Sequence, residues 1–289
     1  MALDRPPSRS DSSRYWDGVL QATLDAPAIE VWRGYMRDVY VGLILRWLSS
    51  AGSGPALKTD LFEEAVTDHE LISTLGSGSV GIDCSPAIAA KAHERLQATG
   101  GRHRVIVGDA RRIPLRSGAI ARILAGSSLD HFSDKGDIAV SLAELARVLV
   151  PGGTLILTLD NPHNPIVWLR NHLPIVWLHR ARLVPYYVGA TYTMAEARHH
   201  LEAIGLVVTD IGAVAHAPRA PAILLAALVG RLRWSRGAAW LGRALARFES
   251  LGRWPTRYQT GYYLALRAEK RPAPTPLSSE RESRSAGTR

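Results

Sequence analysis

Two acidic residues and a histidine follow short apolar runs of this sequence, at a spacing that indicates a binding site. Asp83 ends the run VGID, Asp109 follows VIVG 26 residues later, and His131 lies five residues after a third run, ILAG. Each run is typical of a buried strand, and parallel strands place the residues that follow them at one edge of a sheet, where such sheets bind ligands. A carboxylate at the end of the second strand can accept hydrogen bonds from two neighbouring ribose hydroxyls. The alternative for Asp83 is a cap on a helix that begins near Pro86.

Strand-like runs alternate with helix-like stretches through the middle of the chain. We predict strands at 56–62, 80–83, 105–108, 120–125 and 154–159. Helices are predicted between them, for example at 87–98 and 137–149. Alternation at this spacing predicts an α/β fold with a right-handed, doubly wound, mostly parallel sheet.

Two motifs resemble signatures of a known enzyme family. DARRIP follows the pattern D-x-x-x-[LI]-P, and RVLVPGG follows R-x-L-x-P-G-G. The chain therefore resembles the class I S-adenosylmethionine-dependent methyltransferases that act on small molecules, most closely over 57–161. The resemblance implies a Rossmann-like sheet of seven strands, completed by strands at 206–213 and 261–268. It also implies S-adenosyl-L-methionine as the cofactor and direct SN2 transfer of its methyl group to a small-molecule acceptor.

The resemblance also assigns cofactor contacts to the ends of these strands. Asp109 would accept a hydrogen bond from the adenine amino group, and the backbone N–H of Ala110 would donate to the adenine ring. Ser127 and Ser128 lie where this fold places groups beside the reactive methyl. Cys84, which follows the second strand, is assigned to the same cofactor site. For Asp109 the alternative is a turn-forming residue before two arginines.

The first strand departs from the family pattern. Most members have an acid followed by a glycine-rich loop there, whereas this chain has LKTDLFEEA, without a glycine. Asp60 takes the place of the usual acid, and Glu63 or Glu64 is expected to meet the amino group of the cofactor. Lys58 or Thr59 would then neutralise its carboxylate. The KTDLFEE, SSLDHF and LDNP segments are together similar to a variant of the family that lacks the glycine loop.

His131 and Asp130 are the candidate catalytic residues. A histidine titrates near neutral pH, so His131 could remove a proton from an oxygen, nitrogen or acidic carbon nucleophile, with Asp130 orienting it. The alternative is structural, with Asp130 capping a turn and His131 packing beneath the next helix. Methyl transfer from a sulfonium needs mainly alignment, because the leaving thioether is neutral, so activity does not require a base.

Outside the sheet, the sequence predicts two disordered tails, an N-terminal helical section and two helical insertions. The tails are 1–13 and 271–289, the helical section is 14–55, and the methyltransferase-like domain is 56–270. The insertion 161–190 is predicted to form a lid, with Asn161, Tyr186 and Tyr187 facing the substrate; ordinary packing of a long connection is the alternative. The insertion 218–254 is predicted to form basic amphipathic helices.

Charge and composition limit the partners of the chain. The formal net charge is +9, and the segment from Pro218 onward carries 14 Arg and Lys against 4 Asp and Glu, so the basic character is local. Basic residues with tryptophans suit contact with an anionic membrane through 218–254; a helix pair packed on the core, or a contact between copies, is the alternative. No recognisable RNA-binding module accompanies the charge, which disfavours nucleic acid. The single cysteine excludes an internal disulfide, and no metal site is predicted.

The sequence shows no signal peptide and no apolar run of membrane-spanning length, so a cytoplasmic protein, with or without peripheral membrane contact, is expected. We predict a methyltransferase acting on a small, hydrophobic molecule, because the predicted lid is apolar. One alternative is a cofactor-binding interaction protein of the same fold without turnover, which the missing glycine loop motivates. The other is a membrane-surface enzyme acting on lipids or quinones. The sequence is also compatible with a homo-oligomer.

Overall fold

One sheet of seven strands organises the part of the chain that the computed structural model describes, residues 11–24, 29–48, 53–67, 71–173 and 187–272. The strands are β1 (Ala56–Lys58), β2 (Val80–Asp83), β3 (Arg104–Val107), β4 (Ile120–Gly126), β5 (Leu149–Asp160), β6 (Leu206–Val214) and β7 (Tyr263–Lys270). Their order across the sheet is β3-β2-β1-β4-β5-β7-β6.

The helices of the described ranges surround this sheet. They are α1 (Ser12–Leu24), α2 (Glu30–Leu48), α3 (Phe62–Val66), α4 (Pro86–Ala98), α5 (Lys135–Val148), α6 (Pro165–His172), α7 (Met194–Ala203), α8 (Arg219–Arg231), α9 (Ser235–Phe248) and α10 (Arg257–Thr260). Short 3-10 helices lie at Ile72–Leu75, Leu129–His131 and Glu249–Arg253.

The sheet is mostly parallel, which confirms the predicted Rossmann-like, doubly wound architecture. β1 pairs in parallel with both β2 and β4, β3 is parallel to β2, and β5 is parallel to β4. β7 runs antiparallel to β5 and β6. The strand order reverses between β1 and β4, and such a switch point opens a crevice at the carboxyl ends of the strands.

The first strand is shorter than predicted. We predicted 56–62, but β1 ends at Lys58 and the chain enters α3 at Phe62. The carboxylate of Asp60 accepts a hydrogen bond from the backbone N–H of Phe62 (2.9 Å), which stabilises the start of α3. The apolar pair Leu61 and Phe62 extended the apparent strand, because a short apolar run does not distinguish a strand from a buried helix start.

The two faces of the sheet are covered by different helices. Successive residues of β4 point to opposite faces, as in any strand. Ile123 packs with Leu57 and with Leu142 of α5 on one face. Leu124 packs with Trp47 of α2 on the other. Both faces are therefore buried, as a mainly parallel sheet requires.

The N-terminal helices belong to this packing. Leu20 of α1 packs with Leu61 and Ile88. These contacts join α1 to α4 and to the loop between β1 and α3, residues 59–61, which we call the first loop. α2 has a continuous buried face, whose beginning packs on α8 and α9 and whose end packs on the sheet. Both helices therefore lie beside the switch point.

The predicted insertions and tails are described only in part. Residues 174–186, which include Tyr186, lie outside the described residues, as do 1–10 and 273–289. α1 begins at Ser12, within the segment 1–13 that was predicted as a tail. Each helix of the described ranges is too short or too polar to cross a membrane.

Candidate active site

A cavity opens at the carboxyl ends of β1, β2 and β4. Its lining includes all ten residues that the sequence analysis assigned to the cofactor: Lys58, Thr59, Asp60, Glu63, Asp83, Cys84, Asp109, Ala110, Ser127 and Ser128. His131 lines the same cavity. The switch between β1 and β4 accounts for this gathering, because the loops that follow these neighbouring strands leave in opposite directions.

Asp83 ends β2 with a buried carboxylate that accepts two backbone hydrogen bonds. Its Oδ2 accepts from the N–H of Leu61 (3.0 Å), and its Oδ1 accepts from the N–H of Ser85 (2.9 Å). Burial raises the pKa of Asp83 to about 7, although both backbone donors favour the charged form. The cap of α4 is Ser85, whose Oγ accepts from the N–H of Ile88 (3.0 Å), so Asp83 is not that cap. Each carboxylate oxygen keeps a second lone pair with which to accept a ligand hydroxyl.

Arg111 clamps Asp109, a contact that the sequence analysis missed. The Nε of Arg111 lies 3.0 Å from both carboxylate oxygens of Asp109, and its Nη1 lies 2.7 Å from Asp137 Oδ2. The guanidinium carbon is 5.0 Å from the centroid of the Phe132 ring. The side chain of Asp109 is 39% exposed and stays accessible from the cavity. The motif D-x-x-x-[LI]-P leaves the position of Arg111 unspecified, so the motif did not indicate this contact.

Cys84 lies in the cavity wall near both of these acids. Burial, together with the negative charges of Asp83 and Asp109, raises the pKa of its thiol to about 12. The thiol is therefore protonated at neutral pH, and a protonated thiol is a weak nucleophile. Cys84 offers an apolar contact and no covalent chemistry.

Lys58 belongs to an internal network of ion pairs. Its ammonium donates to Glu64 Oε2 (2.9 Å), to Asp60 Oδ2 (3.2 Å) and to the backbone oxygen of Asp60 (2.5 Å). An ammonium has three N–H donors, so these acceptors occupy all of them. Burial lowers the pKa of Lys58, but the two acids outweigh burial and leave that pKa above its usual value. The structure thus corrects the expectation that Lys58 neutralises a ligand carboxylate; Lys58 positions Asp60.

Glu64 and Glu63 point in opposite directions. The Glu64 side chain is fully buried between Lys58 and the backbone N–H of Ile72 (3.0 Å), so it cannot meet a ligand amine. Glu63 is 47% exposed, and its Oε2 lies 2.9 Å from Nη1 of Arg33. Of the two acids considered from the sequence, Glu63 is therefore the one that a ligand can reach. Arg33, which lines the cavity from α2, was not recognised from the sequence.

Gly81 of β2 allows the first loop to pack directly on that strand, although the loop itself contains no glycine. A Cβ on Gly81 would lie 2.3 Å from Cδ2 of Leu61, far inside van der Waals contact. Because Gly81 has no side chain, the fully buried Leu61 packs directly on β2. The first loop and the end of β2 are brought together by this contact and by the hydrogen bond from Leu61 to Asp83.

Ser127 turns the chain after β4 in a strained conformation. Its φ is 47°, in the left-handed region that favours glycine. Its backbone N–H lies 3.1 Å from the carbonyl oxygen of Thr158 and 2.9 Å from Thr158 Oγ1, which ties the turn to β5. Ser128 Oγ lies 2.7 Å from Thr59 Oγ1, so the ends of β1 and β4 are linked across the switch point. Strain held by its surroundings in this way is common at functional sites.

Asp130 has a structural position. It is 1% exposed and is not among the cavity-lining residues. Its Oδ2 accepts from Ser127 Oγ (3.0 Å) and from the N–H of Asp160 (2.9 Å). Burial, and then the charge of Asp160, raise the pKa of Asp130 to about 6. Its Oδ1 is 3.9 Å from His131 Nε2, too long for a hydrogen bond, so the expected orienting role is corrected.

The His131 ring packs against an aromatic residue of α1. Its centroid lies 4.8 Å from that of Trp16, with 65° between the ring planes. The side chain is 20% exposed and lines the cavity. An edge contact with an indole therefore contributes to holding the imidazole where a ligand can reach it.

The N-terminal helices supply an apolar wall of the cavity. The wall residues from α1 and α2 are Trp16, Trp32, Met36 and Tyr40. The Tyr40 hydroxyl lies 2.9 Å from Thr158 Oγ1, and a Cβ on Gly126 would lie 3.2 Å from the Tyr40 ring. Helices were predicted here, but the cover of the site was predicted at 161–190, because helical periodicity does not indicate which face of a helix meets a ligand.

The residues expected to face the substrate from the lid do not line this cavity where they are described. Asn161 is fully buried, and its amide donates to the backbone carbonyls of Tyr258 (2.7 Å) and Gly261 (2.8 Å). It therefore joins β5 to the segment before β7, which corrects its assignment to the substrate. Tyr187 is described but is not among the lining residues, and Tyr186 lies outside the described residues.

A family comparison covers most of the elements that build this site. Residues 42–157 match the model of a family described as "Methyltransferase domain". This segment is therefore similar to methyltransferase domains. The matched segment runs from α2 into β5 and includes β1 to β4, whose ends line the cavity.

One curated relative resembles a part of this chain, and solved structures resemble most of it. Demethylmenaquinone methyltransferase from Thermus thermophilus is 33% identical over 90 residues, which cover 31% of this chain and 39% of that enzyme, well under half of its length. A SAM-dependent methyltransferase from Thermotoga maritima has a TM-score of 0.51 at 13% identity, over 83% of this chain and 91% of that chain. The [4+2]-cyclase SpnF has a TM-score of 0.51 at 16% identity, over 81% of this chain and 80% of that chain. These two structures share the fold and are named for different reactions, so the reaction must be argued from the site.

Proposed function

We propose that this protein binds S-adenosyl-L-methionine in the cavity and transfers its methyl group to a small, hydrophobic acceptor. The observation that carries the proposal is the convergence of Asp83, Asp109 and the first loop with His131 on one cavity, at the switch point of a methyltransferase domain. The match to a demethylmenaquinone methyltransferase agrees with a small-molecule acceptor.

The chemistry of the lining residues fits this cofactor. Asp83 offers acceptor oxygens for the ribose hydroxyls, and Asp109 with the backbone of Ala110 offers an acceptor and a donor for the adenine edge. Asp60, 28% exposed, and Glu63 present negative charge to a cofactor that carries an ammonium and a sulfonium. Acceptors and negative charge are thus available for each of these polar groups of the cofactor.

The carboxylate of the cofactor needs a donor other than Lys58. Arg33 lines the cavity, and its side chain is 11% exposed. A guanidinium has five N–H donors in a fixed fork that suits carboxylates, and the bond to Glu63 uses Nη1. We assign the carboxylate to Arg33, with the hydroxyl of Thr59 as a further donor. This assignment makes Arg33 and Glu63 a pair that holds opposite charges of the same ligand.

The apolar wall supports a hydrophobic acceptor. Trp16, Trp32, Met36 and Tyr40 bring large apolar surfaces to the cavity. Such a wall excludes water, and aromatic faces attract a sulfonium through cation–π interaction. A polar acceptor would lose part of its hydration against these apolar side chains, which favours a hydrophobic one.

The protein mainly aligns the reactants. When bound, S-adenosyl-L-methionine supplies an electrophilic methyl group, and its leaving thioether is neutral. The rigid strand ends fix the position of the cofactor, and the walls from α1 and α2 fix the acceptor against it, which is the main requirement of such a transfer. His131 accepts the proton that an oxygen or nitrogen acceptor loses, and releases it to solvent at the cavity mouth.

Calorimetric titration with S-adenosyl-L-methionine and S-adenosylhomocysteine tests cofactor binding. Removing the carboxylate in Asp83→Ala should weaken binding by about 1.5–3 kcal/mol, the scale of a hydrogen bond to a charged group. Glu94→Ala on the exposed side of α4 removes the same charge away from the cavity and should leave binding unchanged. Failure of the native protein to bind either compound would refute the proposal.

Mass spectrometry of reactions with a panel of phenols, quinols and hydrophobic amines tests the transfer. The expected product is heavier than its acceptor by one CH2 unit. Cofactor binding without turnover across the panel would instead favour a non-catalytic binding protein of this fold. Methylation confined to added protein or nucleic acid would refute the small-molecule acceptor.

A further inference from the structure

The outward face of α8 exposes a stripe of leucines. Leu224, Leu228 and Leu232 are 72%, 52% and 64% exposed, and their spacing of four residues places them on one side of the helix. The opposite side buries Ala222 and Ala226 against α2. The leucine stripe is therefore the solvent face of a packed helix, and folding does not explain its apolar character.

The outward face of α9, the next helix, is basic and contains a tryptophan. Arg236, Trp240, Arg243 and Arg247 recur at intervals of three or four residues, which places them on one face. Trp240 is 62% exposed, and the opposite face buries Leu241. Trp234, in the turn between the helices, is also 56% exposed.

The charge of this helical pair is positive on its outer side. Residues 219–254 contain seven arginines and one acidic residue, Glu249. Glu249 points inward, where its carboxylate accepts hydrogen bonds from the Tyr35 hydroxyl and from the backbone N–H of His216 (2.8 Å). The acid therefore does not offset the arginines at the surface.

We propose that α8 and α9 dock on the surface of an anionic lipid bilayer. Leucines insert below the headgroups, tryptophans lie at the interface, and arginines pair with lipid phosphates, which accounts for all three residue types at once. A second copy of this surface would bring arginines against arginines. A nucleic acid would pair with the arginines but would leave the leucine stripe in water. The charge complementarity and the apolar stripe together select the membrane.

The docking surface adjoins the cavity. Arg219, the first residue of α8, lines the cavity, and α8 packs on α2, which supplies the walls Trp32 and Met36. Docking through α8 and α9 would therefore hold these wall-forming helices close to the bilayer. A hydrophobic acceptor dissolved in the lipid would have a short path into the site; this link rests on the proposed function, whereas docking itself does not.

Flotation with liposomes tests the docking, with vesicles of phosphatidylcholine alone and of phosphatidylcholine mixed with phosphatidylglycerol. We expect the full chain to float with the anionic vesicles and not with the neutral ones. Arg236→Gln/Arg243→Gln/Arg247→Gln should lower the partition coefficient by about 150-fold, since each arginine near an anionic surface contributes about 1 kcal/mol. Leu224→Ser/Leu228→Ser/Leu232→Ser should also abolish flotation. Because all these side chains are exposed, neither triple variant should alter the melting temperature greatly.

A matched control variant separates the effect of this surface from the effect of net charge. Arg102→Gln/Arg116→Gln/Arg198→Gln removes the same charge from exposed positions elsewhere, and it should float like the native chain. Absence of native flotation on anionic vesicles, or equal losses in the control, would overturn the proposal. A native dimer in analytical ultracentrifugation that the leucine triple variant dissociates would also overturn it, in favour of a contact between copies. Cofactor titration is independent of vesicles, so failure of docking and failure of cofactor binding are distinguishable.

Discussion

The protonation of Asp83 should make cofactor binding depend on pH. Burial raises the pKa of this carboxyl to about 7 in the ligand-free protein, and only the carboxylate can accept hydrogen bonds from both ribose hydroxyls. About one tenth of the molecules carry the carboxylate at pH 6 and about nine tenths at pH 8, so the dissociation constant should be about tenfold larger at pH 6. At pH 7, binding should release about half a proton.

Calorimetry in two buffers of different ionisation enthalpy measures both the dissociation constant and the number of protons released. Asp83→Asn is the control. The variant should bind more weakly at pH 8, by about 10- to 150-fold, and should lack the contribution of Asp83 to the pH dependence. Subtracting its profile removes the titration of the cofactor itself. A native pH profile identical to that of Asp83→Asn would refute the assignment of Asp83 to the ribose.

The same carboxyl affects stability with a definite sign. The pKa of Asp83 is raised from 3.8 to about 7 on folding, so the folded protein holds a proton that the unfolded chain releases. The contribution of Asp83 to the free energy of unfolding must therefore fall as the pH rises from about 4 to 7. A bound cofactor that favours the carboxylate would reduce this loss.

Three further perturbations test the site. Glu64→Gln leaves the buried ammonium of Lys58 without its buried partner, so urea denaturation should show a loss of about 3–5 kcal/mol, much of which Lys58→Met/Glu64→Leu should restore; equal losses in both would contradict the ion-pair argument. His131→Gln should lower turnover by about 100-fold and leave the dissociation constant of S-adenosylhomocysteine nearly unchanged, whereas parallel losses would make His131 structural. Gly81→Ala forces a Cβ into Leu61 and should cost about 1–3 kcal/mol, together with weaker cofactor binding; an unchanged melting temperature would contradict the contact.

Strand ends could be predicted from the sequence where an apolar run stops at a polar residue. Asp83 terminates β2 as predicted, since VGID is followed at once by a capped helix. The end of β1 was misplaced because Leu61 and Phe62 continue the apolar character into a helix. Local hydrophobicity indicates which residues are buried, but it does not distinguish a buried strand from a buried helix. The strand end is therefore predictable only where the apolar run and the strand stop at the same residue.

Side-chain direction was the part of the site that the sequence could not supply. Ser127, Ser128 and His131 of the SSLDHF motif line the cavity, whereas the neighbouring Asp130 is buried and does not. Asp130 bonds to the start of the next loop at Asp160, and that contact depends on the pairing of β4 with β5. Contacts of this kind arise from tertiary packing, which no spacing along the chain encodes.

The buried pair of Lys58 and Glu64 fixes a first loop that lacks glycine. A glycine loop allows backbone to approach a ligand closely. Here a buried ion pair takes that place, and because desolvation offsets most of its attraction, its main consequence is positional. Lys58 holds both the carbonyl and the carboxylate of Asp60, whose other oxygen bonds to the start of α3. The first loop therefore presents a fixed negative side chain to the cavity, where a glycine loop would present its backbone.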